Sequence, residues 1–82
     1  MNDDKYRKEL EARIVAKRQY KFDVEREIKE ADDYISVHRE TLPVGVITMV
    51  LEGMYQRRGV LTMLQNEISE LEYHLRRLIE GA

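Results

Sequence analysis

The stretch from residue 47 to 78, ITMVLEGMYQRRGVLTMLQNEISELEYHLRRL, determines the fold class of this chain. Apolar side chains recur in it at every third and fourth position, and the series is interrupted by Arg57 alone. Its members are Ile47, Val50, Met54, Leu61, Leu64, Ile68, Leu71, Leu75 and Leu78. This spacing predicts one long helix with an apolar edge, which must pack against a neighbouring helix.

The residues before this stretch predict a second long helix, which supplies that neighbour. Its start near residue 3 is indicated by Asn2, Asp3 and Asp4, because their oxygens accept from free amides and complement the helix dipole. The stripe weakens at Lys17 and Lys21, whose long stems can still cover an apolar seam. The apolar positions are Tyr6, Leu10, Ile14, Tyr20, Val24, Ile28, Ala31 and Ile35.

Pro43 separates the two predicted helices. It disfavours a helical backbone at Leu42, and it fits the first turn of the next helix, where its missing amide costs nothing. A single helix kinked at Pro43 is the alternative. We expect an all-α fold, an antiparallel two-helix hairpin with helices at about 3–41 and 44–80, in one domain spanning 1–82.

The predicted hairpin has a definite register. With its turn near Pro43, residues whose numbers add to about 86 lie level with each other. This register brings the acids Glu27 and Glu30 near the bases Arg57 and Arg58, and it brings Lys17 and Lys21 near Glu67 and Glu70. Opposite charges therefore meet where the apolar seams are broken, which favours the hairpin.

The first half of the second helix also carries apolar residues outside its seam. Val44, Met49 and Tyr55 are examples, and one antiparallel helix covers only one stripe. We therefore expect dimerisation into a four-helix bundle or coiled-coil-like assembly, which a two-fold axis closes. The residues predicted to form this oligomer or partner interface are Val46, Ile47, Met49, Val50, Leu51, Met54, Tyr55, Val60 and Leu61. From Gln65 onward the pattern narrows to a plain seam that needs only one neighbour, or a loosely packed second one.

Two glycines lie inside this apolar half. Gly53 and Gly59 each destabilise a helix by about 1 kcal/mol relative to Ala. One interpretation is the close approach of another backbone or of a ring, with Tyr34 lying opposite Gly53 in the predicted register. The other is a locally weak helix.

Composition limits the class of protein. The chain has 82 residues, no cysteine, 14 Lys and Arg, 16 Asp and Glu, and a net charge of −2. A core of this size is thin, so self-association or a partner is a common remedy. No apolar run reaches the roughly 20 residues that span a bilayer, and we expect no membrane association and a cytoplasmic location.

These features favour a small helical protein–protein interaction module, acting as a regulator, inhibitor or assembly adaptor, with a protein partner. The acidic stretch from residue 23 to 33 would suit a basic partner. The alternative is a dimeric nucleic-acid-binding protein that uses a basic patch near the chain termini. That patch would comprise Arg13, Lys17, Arg18, Lys21, Arg76 and Arg77.

No arrangement of residues predicts an enzyme, a cofactor or a metal site. Glu70 and His74 share a helix face and would supply two ligands, but a third is not evident. Ser36 and His38 are too close along a helix to face each other. The glycines are scattered through helical sequence, so they form no phosphate-binding loop.

Overall fold

The chain folds into two long helices that pack against each other as an antiparallel hairpin. A computed structural model describes the backbone of residues 2–81 and the side chains of residues 3–81. Helix α1 spans Asn2–His38, and helix α2 spans Val44–Glu80. Within residues 2–81 there is no strand, and the rod measures 60 × 15 × 14 Å. The predicted all-α hairpin is confirmed. The predicted capping by the Asn2 side chain, and the domain ends at Met1 and Ala82, lie outside the described parts.

Helix α1 ends three residues earlier than the predicted end at residue 41. The carbonyl of His38 accepts hydrogen bonds from the amides of Thr41 and Leu42, both at 3.0 Å, and from the Thr41 hydroxyl at 3.1 Å. Because these donors all converge on one carbonyl, the chain turns away at His38 instead of continuing the helix.

Pro43 lies just before α2, not in its first turn as predicted. Its backbone is extended, with φ −61° and ψ 146°, and it caps the helix without a side-chain hydrogen bond. Its carbonyl accepts from the amides three and four residues later, at 3.0 and 3.2 Å. The opposite end of α2 lies at Glu80 as predicted, where the amide of Gly81 donates to the Arg77 carbonyl at 2.8 Å.

A seven-residue repeat supplies the contact between the helices. The buried residues are Leu10, Ile14, Val24 and Ile35 of α1 and Met54, Leu64 and Ile68 of α2. Alternating steps of three and four residues connect them, which is the spacing that keeps one edge of each helix facing the other. Lys17 and Lys21 occupy the two seam positions between Ile14 and Val24, and both are half-buried.

Tyr6 and Tyr20 differ from the prediction. We placed them in the apolar stripe of α1, but their side chains are 48% and 53% exposed. The repeat that runs through Leu10 and Ile14 continues at Lys17 and Lys21, so both tyrosines fall beside the seam. The aliphatic stems of the lysines cover the position that we assigned to Tyr20.

Three ion pairs across the helices agree with the predicted register to about one helical turn. Lys17 Nζ contacts Glu67 Oε2, and Arg57 Nε donates to Glu27 Oε2 at 2.9 Å, as expected for both breaks in the seam. An additional pair, which we did not predict, joins Arg18 Nη2 to Glu72 Oε1 at 2.8 Å. The opposed charges therefore lie level with each other in the folded hairpin.

The remaining predicted charge contacts are local instead. Lys21 Nζ lies 3.8 Å from Glu25 Oε1, one turn further along α1, and not beside Glu70. Glu30 Oε1 lies 3.9 Å from Arg26 Nε and pairs with no residue of α2. Residues one turn apart on a helix are adjacent whatever the tertiary packing, so these pairs form without help from the second helix.

Truncation of the seam should destabilise the hairpin. Leu64 is 2% exposed, and we expect Leu64→Ala to lower the free energy of unfolding by about 2–5 kcal/mol, because it removes buried contacts and leaves a cavity. Urea unfolding followed by circular dichroism, at one fixed protein concentration, measures this. The neighbouring Met63 is exposed, so Met63→Ala is the matched control. An equal loss for both variants would contradict the seam described here.

Candidate interaction surface

The seam divides the outside of the hairpin into two long sides. On one side Arg18 donates to Glu72, and acids and bases are equal in number. We call this the mixed-charge side. It comprises Glu11, Val15, Arg18, Phe22, Glu25, Lys29 and Asp32 of α1, and Val44, Leu51, Tyr55, Arg58, Gln65, Ser69, Glu72, Arg76 and Ile79 of α2.

Carboxylates outnumber basic residues on the other side. Near the turn, Glu27, Glu30, Tyr34, Met49 and Gly53 line one shallow concavity there. We call this the acidic side. It comprises Arg13, Tyr20, Asp23, Glu27, Glu30, Tyr34 and Val37 of α1, and Val46, Met49, Gly53, Val60, Met63, Glu67, Glu70, His74 and Arg77 of α2.

More large apolar side chains are exposed on these sides than are buried in the seam. Fourteen are exposed among the described residues, against seven that are buried. Val44, Met49 and Tyr55, at 79%, 71% and 78%, are the most exposed of α2. Scattered single apolar residues are normal on a surface, but a cluster in the half of α2 nearest the turn is not.

The predicted interface residues take three different places. Ile47, Val50 and Leu61 are half-buried in the seam against α1, and Met54, only 3% exposed, belongs wholly to the hairpin core. The structure therefore removes Met54 from the outer surface, because it lies on the same helix edge as Leu61 and Ile68. The others face outward: Val46, Met49 and the half-buried Val60 on the acidic side, Leu51 and Tyr55 on the mixed-charge side.

The two glycines of this region do not receive a ring from α1. A Cβ atom added at Gly53 would meet the Arg57 Nη1 atom at 3.0 Å and no atom of Tyr34 within 4 Å. A Cβ added at Gly59 would meet nothing within 4 Å. Within one hairpin, the close approach that we expected of Tyr34 over Gly53 is therefore wrong.

An apolar groove lies at the open end of the hairpin, and it was not predicted from the sequence. Ile14, Val15, Leu75 and Ile79 line it, and it has a volume of about 420 Å³. Charged residues of both helices surround these four: Glu11, Arg18, Glu72, Arg76 and Glu80. The prediction of a plain seam in this half did not include Val15 and Ile79, which are exposed beside it. Val15 and Ile79 are apolar but lie outside the seam positions, and this was the feature of the sequence that could have predicted the groove.

The six cations of the predicted basic patch are divided among the seam and the two sides, although Arg18 lines one groove with Arg76 and another with Lys21. Lys17 and Lys21 are in the seam, and Arg18 and Arg76 are on the mixed-charge side. Lys17, Arg18 and Lys21 contact Glu67, Glu72 and Glu25, respectively. Arg13 and Arg77 lie on the acidic side, where the Arg77 guanidinium lies 6.0 Å from the centre of the Tyr73 ring.

Several groups of the acidic stretch also have basic neighbours. Asp23 and Glu30 lie 3.7 and 3.9 Å from Arg26, and Glu27 accepts from Arg57. The predicted pair of metal-ligand candidates does come together, with His74 Nε2 3.8 Å from Glu70 Oε1. Across the described residues, no group of three or more His, Cys, Asp or Glu side chains is arranged to hold a metal ion.

Neither of the two described helices contains a stretch apolar enough, over a sufficient length, to span a bilayer. Comparisons of the chain with protein-family models, with curated proteins and with solved structures found no match.

Gly59→Ala should stabilise the helix. The added methyl group meets no neighbour, so the helix propensity gain of about 1 kcal/mol is available without strain. Gly53→Ala should gain less, because Arg57 must move while it holds Glu27. Thermal or urea unfolding of both variants checks this. A loss of stability in Gly59→Ala would instead show that a second backbone packs against Gly59.

Proposed function

We propose that this protein is a small helical protein–protein interaction module that self-associates and acts by binding another macromolecule, as a regulator, inhibitor or assembly adaptor. The observation that carries the proposal is the apolar cluster that the hairpin leaves exposed around Met49, Leu51 and Tyr55. We place its action in the cytoplasm, since a chain without cysteine suits a reducing compartment.

The surface area of the hairpin supports self-association. It exposes 6634 Å², whereas a compact globular monomer of 9.8 kDa exposes about 5,200 Å². The excess of about 1,400 Å² is larger than the roughly 800 Å² that each partner buries in a standard interface. A second copy can therefore cover enough surface to form a stable dimer.

Placement of the cations favours protein binding over the nucleic-acid alternative. Phosphate backbones are bound by free positive charge arranged along one surface. Of the six candidate cations, Lys17, Arg18 and Lys21 already contact carboxylates, and the rest are divided between the two sides of the hairpin.

Charged substitutions on the exposed apolar cluster should weaken the oligomer. We expect Leu51→Glu or Tyr55→Glu, both on the mixed-charge side of α2, to lower the mass measured by light scattering, because burying an unpaired carboxylate is unfavourable. The helix spectrum should not change, since both side chains are exposed in the hairpin. Tyr73→Glu is the matched control, because Tyr73 is exposed and lies outside the cluster. A wild-type protein that is monomeric at every concentration would refute self-association.

Generic DNA and RNA should not bind with appreciable affinity. The neutralised cations leave too little free positive charge for counterion release to favour binding. A titration of labelled duplex and single-stranded probes at low and physiological salt measures this. The nucleic-acid-binding alternative would be supported instead if the affinity falls steeply with salt and is lost in the double variant Arg13→Gln/Arg76→Gln.

A further inference from the structure

The groove at the open end and the apolar residues near the turn lie on the same side of the hairpin. The groove is lined by Val15, Leu75 and Ile79, and the exposed residues nearest the turn on this side are Leu51 and Tyr55. This side carries four acids and four bases, whereas the acidic side carries five carboxylates and two arginines. Two copies facing each other through the acidic side would repel, so the mixed-charge side is the better self-complementary surface.

From this arrangement we infer that the occupant of the groove is a second copy of this chain, bound antiparallel through the mixed-charge side. This inference rests on the self-association proposed above and specifies its geometry. In it, Leu51 and Tyr55 of each copy enter the groove at the open end of the other.

The order of residues along α2 defines the two-fold axis. Leu51, Arg58, Gln65, Glu72 and Ile79 follow one another at seven-residue steps on the mixed-charge side. An axis perpendicular to the helices at Gln65 sets each helix antiparallel to its own counterpart. Arg58 then meets Glu72 of the second copy, and Leu51 meets Ile79 of the second copy. Each of these contacts between the copies joins two apolar residues, two opposite charges or two neutral amides.

Helix α1 supplies an independent check on this axis. The two ion pairs that include seam residues join positions whose numbers add to 84, so Gln65 lies about level with Tyr20 of α1. The axis therefore passes near Tyr20. Glu11, nine residues before Tyr20, consequently meets Lys29 of the second copy, nine residues after it. These opposite charges were not used to choose the axis.

The outermost contacts follow the same rule. Lys8 lies twelve residues before Tyr20, and Asp32 lies twelve residues after it, so they too meet as opposite charges. Tyr55 lies ten residues before Gln65 and therefore faces Leu75 of the second copy, which lines the groove. The charged rim of the groove and its apolar floor are thus matched by the same register.

One contact of this arrangement is unfavourable. The axis brings Glu25, five residues after Tyr20, near Val15 of the second copy, five residues before it, and a carboxylate beside an apolar side chain loses hydration. Lys21 Nζ lies 3.8 Å from Glu25 Oε1 in each copy, which partly offsets this cost.

Engineered thiols test this register, because the chain has no cysteine of its own. Gln65→Cys places two thiols at the axis, while Gln56→Cys places them on an exposed part of α2 outside the mixed-charge side. With a short bifunctional maleimide, we expect at least about tenfold more covalent dimer from Gln65→Cys. Paired thiols react at an effective concentration of about millimolar, which exceeds the micromolar concentration of the protein.

A double variant tests the antiparallel orientation. Leu51→Cys/Ile79→Cys should give a covalent dimer linked at two places, because each thiol faces the other kind in the second copy. Within one chain these positions are about 42 Å apart along α2, so the linker cannot join them internally. Circular dichroism confirms that each variant is folded.

The outcomes separate this inference from the proposed function. If the protein is dimeric by light scattering but Gln56→Cys crosslinks as well as Gln65→Cys, the register is refuted and self-association stands. If Gln65→Cys crosslinks and Leu51→Cys/Ile79→Cys does not, the antiparallel orientation is refuted. If the wild-type protein is monomeric, both the inferred dimer geometry and the proposed self-association are refuted.

Discussion

The contact between two apolar edges at a seven-residue period is the interaction on which this structure depends. Every buried residue of the described chain, from Leu10 to Ile68, belongs to that seam. The described residues 2–81 contain no element besides α1 and α2 that covers the remaining faces. Each helix therefore hides one stripe and exposes the rest, and the surplus of exposed apolar surface follows directly from the architecture.

Charged residues within the seam give the hairpin its register. Lys17 and Arg57 interrupt the apolar edges, and each meets a carboxylate of the opposite helix, Glu67 and Glu27. Partly exposed pairs of this kind contribute only about 0–1 kcal/mol each. A shift of one heptad would nevertheless separate both cations from their partners and bring apolar groups against charge. The pairs therefore select among registers more than they stabilise the fold.

The two sides of the hairpin differ in what they can bind. The acidic side presents Glu30, Glu67 and Glu70 around its apolar residues, so a partner docking there would need positive charge. The mixed-charge side carries acids and bases in equal number. The two sides therefore differ in net charge as well as in the apolar residues that they expose.

The sequence by itself determined the two helices, the break before Pro43, the seam of α2 and the approximate register, because periodicity and charge pairing are properties of the residue order. It also predicted that the apolar residues near the turn exceed what α1 can cover. Only the tertiary structure decided which of them lie outside. Met54 belongs to the core while Tyr55 is 78% exposed, and this depends on how far each helix is rotated about its axis. The same rotation explains the exposure of Tyr20, the division of the basic residues between two sides and the groove beside Val15. The residues that share a surface built from two helices depend on the rotation of both helices and on their register. No single stretch of sequence determines all three.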